Sequence, residues 1–276
     1  MRSSKRLTAA AGYNLVSAWT MVPDLKLLPL DLNRYPLPDT DQIRIADLVR
    51  ILPKEGRTAL DVGALWGYCS ELLSQHFESV TALDLEKPAW TVPRVTTMEG
   101  DITRLPFEDN SFDCVFCAEV LEHIPAVEKA AAELARVTAR YLVIGVPFDQ
   151  DLRMGRVTCV HCGRVNPPYG HVNSFTEKKL KSLFPTLTSV VTSFVLPQKY
   201  GRTNELSRWL LDLSRNPYGD YERLEPCMYC NRKVERPANR TWFERGCSFV
   251  AYQLNAAQNL FLSPRPGWIH VVFRKS

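Results

Sequence analysis

With 276 residues, the chain has room for one good hydrophobic core and a small appendage, which excludes two large domains. At 45% hydrophobic and 23% charged residues it has the composition of an ordinary globular protein, without a repeat or a low-complexity tract. A net charge of +4 is too small to argue for nucleic acid by itself.

The chain opens on MRSSKR followed by a fairly apolar stretch, but Gly12 and Asn14 interrupt it, so it reads as an arm over the domain and not as a secretory leader. No run approaches the ~20 apolar residues of a membrane span. Residues 1–56 therefore form an expected N-terminal arm, punctuated by Pro23, Pro29, Pro36 and Pro38, with a helix in DQIRIADLVRIL. Strands and helices then alternate. TALDVGA (58–64), SVTALDL (79–85), VTTMEGD (95–101), FDCVFCAEV (112–120) and RYLVIGVPF (140–148) read as strands, while WGYCSELLSQHF (66–77) and VEKAAAELARVT (127–138) read as helices. Near-continuous apolar strands in this alternation predict a doubly wound α/β fold, a mainly parallel sheet covered on both faces. Beyond residue 149 a helix (175–184) and a strand (187–196) precede a long insertion, and WIHVVFRKS (268–276) supplies the last, antiparallel strand. The expected division is a core over 57–150, sheet completion with an insertion over 151–267, and a closing strand.

Open parallel sheets bind ligands at the carboxyl ends of their strands. Those ends carry Gly63 and Gly67 after the first strand, Asp84 after the second, Asp101 after the third and Glu119 after the fourth. The glycines allow a tight turn and close backbone approach, and the helix that follows would present its N-terminus to a carboxylate. One acid can accept two ribose hydroxyls and another an adenine amine, which describes an adenosine-shaped site. A dinucleotide fingerprint from Gly63 would need glycines where Leu65 and Tyr68 stand, and no phosphate-binding GxxxxGK[ST] occurs.

The ordered set LDVGALWGYCSELL, TALDLE and EGDITRLPFEDNSFDCVFCAEVLEHIP resembles the class I S-adenosylmethionine-dependent methyltransferases of the methyltransferase type 11 family, over about residues 57–148. The resemblance implies a Rossmann-like seven-stranded sheet. It implies S-adenosyl-L-methionine as cofactor, with Asp61, Gly63 and Gly67 along its methionine half, Asp84 at the ribose, Asp101 and Ile102 at the adenine, and Glu119 beside the sulfonium. Leu65 departs from the family's usual middle glycine.

Six of the eight cysteines fall in CxxC pairs. Cys114 and Cys117 sit on a strand, where residues three apart face opposite ways, so they cannot share an ion. Cys159, Cys162, Cys227 and Cys230 sit in non-strand contexts and together make a closed tetrahedral set for structural zinc, with disulfides the competing reading. His161 and His171 are possible substitute ligands. Asn166-Pro167-Pro168-Tyr169 spells the tetrapeptide with which amino-methyltransferases hold a planar base, but it follows the fifth strand instead of the fourth and reads as part of the clip. A hydroxyl acceptor needs its proton removed, and His171 and His123 are the candidate bases, whereas a carboxylate acceptor needs none. The expected activity is O-methylation of a small metabolite or sugar in the cytoplasm. Trp209, Tyr218, Tyr221, Tyr229, Trp242 and Phe243 of the insertion are expected to cover the substrate. The alternatives are methylation of RNA or another macromolecule, with Arg232, Lys233, Arg236, Arg240 and Arg245 tracking phosphates, and a non-catalytic partner-binding protein.

Overall fold

The computed structural model describes residues 31, 34–198, 201–223 and 225–276. Most of the expected N-terminal arm lies outside the described residues. Its helix is present as α1 (Asp39–Ile51), with acids in its first turn and Arg50 in its last, as the helix dipole favours. The strands β1 (Thr58–Val62), β2 (Ser79–Asp84), β3 (Val95–Glu99), β4 (Phe112–Ala118) and β5 (Thr138–Pro147) alternate with α2 (Tyr68–Ser74) and α3 (Val127–Val137). A two-stranded ribbon of β6 (Val157–Thr158) and β7 (Val165–Asn166) follows, then α4 (Glu177–Ser182) and β8 (Leu187–Gln198). The insertion holds α5 (Glu205–Leu213) and α6 (Trp242–Asn259), and β9 (Arg265–Lys275) closes the sheet.

The seven-stranded sheet has the order β3-β2-β1-β4-β5-β9-β8. Strands β1 to β5 pair in parallel, and β9 runs antiparallel to both β5 and β8. The reversal between β3-β2-β1 and β4-β5 puts the switch point at β1 and β4, where the carboxyl ends leave a crevice. One face of the sheet buries Leu60, Val115, Cys117 and Leu142 against α3 and α4, and the other buries Ala59, Cys114 and Val143 against α1 and α2. Cys114 and Cys117 thus lie in opposite halves of the core, as strand alternation requires. Among the described residues no helix is long and apolar enough to cross a membrane.

Helix α1 is tied to the antiparallel end of the sheet by a buried polar knot. Asp47 Oδ2 lies 2.7 Å from His270 Nδ1, and Asp47 Oδ1 accepts bonds from Ser193 Oγ and Arg50. Burial raises the carboxyl pKa of Asp47, but the His270 ring and Arg50 outweigh it and hold it below the ordinary value. Burial likewise holds the His270 imidazole below its usual value. Removing the carboxylate in Asp47→Ala strips His270 Nδ1 of its acceptor and should cost about 3 kcal/mol, seen as a lower urea midpoint at unchanged slope. Both folded-state pKa values are depressed, so their stabilisation is complete above the unfolded values and is lost as pH falls. The wild-type midpoint should therefore drop below pH ~6.5, where unfolded His270 gains a proton, and again below ~3.9 for Asp47.

Candidate active site

A cavity of about 550 Å³ opens at the carboxyl ends of the parallel strands. Its wall comes from residues 62–126, including Gly63, Leu65, Asp84, Asp101, Ile102, Glu119 and His123. Leu83, Val62, Val120 and Ile124 add apolar surface.

The turn after β1 is locked from several sides. Gly63 has φ +81°, and a Cβ there would stand 2.3 Å from Val120 Cγ2. Leu65 takes a positive φ of 34°, an unusual conformation for a branched residue. Its backbone N–H donates to Asp84 Oδ2 at 2.9 Å, and its carbonyl accepts from Trp90 Nε1 at 2.8 Å. These two bonds account for how the loop holds its course with leucine where a glycine is usual, and its side chain projects outward, 61% exposed.

The other sequence-selected residues fall into two groups. Asp84, Asp101, Ile102 and Glu119 line the cavity together with Gly63. Asp101 Oδ1 accepts the backbone N–H of Thr103, and that bond holds its carboxyl below the ordinary value. Glu119 Oε2 accepts from Trp268 Nε1 at 3.0 Å, and Oε1 lies 3.7 Å from the buried Arg44 guanidinium. Asp61 and Gly67 are placed differently and are not on the cavity wall. Asp61 is buried beneath the loop, where its Oδ2 accepts from Ser70 Oγ at 2.5 Å and burial pushes its carboxyl up to about 7. A Cβ on Gly67 would meet the Trp90 ring at 2.6 Å.

Among the described residues no lysine or arginine lines the cavity, whereas Asp84, Asp101 and Glu119 do. These acceptors suit hydroxyls, an amine and a positively charged sulfonium. S-adenosylmethionine fits them.

Residues 60–141 match the family described as Methyltransferase domain, the type 11 group. They form a class I S-adenosylmethionine-dependent methyltransferase domain. A demethylmenaquinone methyltransferase of Renibacterium salmoninarum is 37% identical to the chain over 99 residues, 34% of this chain and 41% of that protein. A ubiquinone biosynthesis O-methyltransferase of Alkalilimnicola ehrlichii is 28% identical over 193 residues, 63% of this chain and 67% of that protein. The chain thus spans about two-fifths to two-thirds of the length of these curated relatives. In fold, a methyltransferase from Bacillus halodurans C-125 superposes with a TM-score of 0.50 at 15% identity, covering 84% of this chain and 98% of that one.

Outside the matched part of the methyltransferase domain, the four expected ligand thiols come together. Cys159 Sγ lies 3.7 Å from Cys230 Sγ, Cys162 Sγ lies 3.7 Å from Cys227 Sγ, and all four sulfurs are within 4.8 Å of one another. Zinc–sulfur bonds of about 2.3 Å in a tetrahedron put sulfurs about 3.8 Å apart, against about 2.05 Å in a disulfide. Both CxxC turns share one backbone pattern. Cys159 O accepts from Gly163 N and Cys159 N donates to Arg164 O, just as Cys227 O accepts from Asn231 N and Cys227 N donates to Arg232 O. Gly163 and Asn231 take the positive φ that each turn needs. Asn166, the first residue of the NPPY stretch, donates to Cys227 Sγ and accepts from Met228 N. That tetrapeptide braces the clip, as its position after β5 suggested.

The acceptor side departs from expectation in one respect. The insertion aromatics do not line the cavity. Tyr221 is buried in the clip, where its hydroxyl accepts from Thr158 N and donates to Arg215 O, and Trp242 is 85% exposed. The loop after β7 instead folds back onto the turn after β4: Val172 N and Asn173 N donate to Glu122 O, and Asn173 Nδ2 donates to Leu121 O and Ile124 O. These bonds bring the His171 and His123 rings to 4.6 Å between centroids, edge to face. Sequence reasoning named both histidines but missed Trp90, Arg44, Gln150 and Trp268, which have no motif and meet the site only through packing.

Proposed function

We propose that the chain methylates an oxygen of a small metabolite or sugar, with S-adenosylmethionine as donor. The observation that carries the reading is the cavity at the switch point, lined among the described residues by three acids and no cationic side chain. The relatives named for ubiquinone and demethylmenaquinone methylation act on small molecules, which supports the same acceptor class. S-adenosylmethionine supplies an electrophilic methyl group on a positively charged sulfur.

Asp84 takes the ribose hydroxyls with the lone pairs not used by Leu65 and Leu85 N–H groups. Asp101 and Ile102 take the adenine, and Glu119, fixed by Trp268, offers negative charge to the sulfonium. Asp61 acts from below by holding Ser70 and the glycine turn. Methyl transfer is an in-line displacement, so most of the protein's contribution is orientation and exclusion of water. Burial lowers the His171 imidazole to about 3 and also lowers His123. Both rings are therefore neutral near pH 7 and weak at removing the proton of an acceptor hydroxyl. The four thiolates hold a structural zinc ion, which has no open position for substrate and pins the insertion to the ribbon after β5.

The test is incubation with methyl-labelled S-adenosylmethionine and a fractionated bacterial extract. Label is expected in a low-mass or glycan fraction resistant to nuclease. Label confined to nuclease-sensitive material would overturn the small-molecule reading in favour of RNA.

A further inference from the structure

Glu122 sits in the turn after β4 that borders the cavity. It is 1% exposed, and neither carboxylate oxygen has a hydrogen-bond partner. A buried carboxylate without donors is costly, by several kcal/mol, and such groups are compensated by an ion or a proton. The residues facing it decide between the two. One ring nitrogen of His123, one of His171 and a Glu122 oxygen lie within 4.8 Å of one another, and Glu122 makes no hydrogen bond to either ring. The convergence of two imidazole nitrogens on a buried carboxylate that takes no hydrogen bond from either ring favours an ion.

Each ring is already held by a hydrogen bond. His171 Nδ1 lies 2.6 Å from Gln150 Oε1, and His123 is bonded to the backbone of Gly170. Metal-binding histidines characteristically donate their second ring N–H to an amide or carbonyl oxygen, which fixes the ring and leaves the other nitrogen's lone pair for the ion. Backbone bonds from Val172 and Asn173 to Glu122 O hold the two contributing segments together, so the arrangement is built by the fold and not by a flexible side chain.

We propose that Glu122, His123 and His171 bind a divalent first-row transition cation beside the methyl-donor cavity, which His123 itself lines. Two imidazoles and one carboxylate form the mixed nitrogen–oxygen set preferred by manganese, iron or zinc over magnesium or calcium, which favour all-oxygen sets. The site is separate from the four-thiolate clip. The charges around it leave one carboxylate in excess: Glu119 and Glu122 face the Arg44 guanidinium, and Arg223 stands by Gly170 and Glu225. A bound cation would lower the pKa of an acceptor hydroxyl that reaches it from the cavity. That catalytic consequence rests on the function proposed above; cation binding does not.

The test uses the full chain, loaded with one equivalent of zinc to fill the thiolate clip, and titrated with Mn²⁺ while free Mn²⁺ is followed by electron paramagnetic resonance. Thiolates are poor ligands for Mn²⁺, so the probe reports the second site. About one Mn²⁺ per chain is expected, with affinity at least ~10-fold weaker in Glu122→Gln and His171→Gln proteins whose melting confirms folding. Paramagnetic broadening in the wild type should centre on the His123 and His171 ring resonances, which locates the ion even if a variant fails to fold. Absence of binding by the wild type, broadening centred elsewhere, or unchanged affinity in the folded variants would each overturn the proposal. None of these readouts depends on methyl transfer, so failure here and failure of the proposed function are distinguishable.

Discussion

Cys227→Ser protein is expected to lose its zinc, from one ion per chain to almost none by elemental analysis, and to release the insertion while the parallel core stays folded. The expectation follows from how the clip is made. Its small core consists of Val157, Tyr221 and Val234 packed around Cys159 and Cys227, too little apolar surface to order the ribbon and the 227–230 turn without a cross-link. In small zinc domains the metal-binding free energy, about 10–16 kcal/mol, is in effect the folding free energy. Core strands β1 to β5 bury their residues against α1, α2 and α3 and do not draw on the clip. Limited proteolysis should therefore cut the variant between residues 151 and 240 at least ~10-fold faster than the wild type, with the wild type behaving likewise after chelation. Cleavage at the wild-type rate with zinc gone would show that packing alone orders the insertion.

Asp84→Asn is expected to weaken S-adenosylmethionine binding about 10- to 100-fold by calorimetry, because it replaces charge-assisted bonds to ribose hydroxyls, each worth about 1.5–3 kcal/mol, by neutral ones. Asparagine keeps an oxygen to accept from Leu65 N or Leu85 N, so the loop and the melting temperature should change little. Asp84→Ala removes both backbone anchors as well as the ribose partner. It should bind more weakly still and lose order in the Leu65–Trp90 contact, visible as a change in tryptophan fluorescence. Wild-type affinity in the asparagine variant would place the ribose elsewhere. The two substitutions separate the acid's role toward the ligand from its role in shaping the turn.

The core of the fold and the position of the cavity were legible in the amino-acid order. Apolar runs such as TALDV and YLVIGVP, spaced by amphipathic segments, admit little besides a parallel sheet, and that sheet gathers Asp84, Asp101 and Glu119 at one edge because all five strands point the same way. The placement of Cys114 and Cys117 in opposite halves of the core followed from the two-residue period of a strand. Each CxxC turn was likewise visible, through its cysteine spacing and the Gly163 or Asn231 that follows.

Contacts between distant segments were decided only by the tertiary structure. Cys159 faces Cys230 across 71 positions of chain and Cys162 faces Cys227 across 65, a crossing that no local periodicity encodes. Trp90 caps the first loop from an irregular segment, and Trp268 reaches Glu119 from the last strand, 149 residues away. The insertion's aromatic residues look like a substrate cover in the sequence, yet packing sends them to the clip or to the surface. EVLEHIP shows a glutamate and a histidine side by side, but only the loop folding back from β7 sets His171 against them and leaves Glu122 buried without a donor. Backbone periodicity fixes where strand ends lie, and long-range packing fixes which side chains meet there.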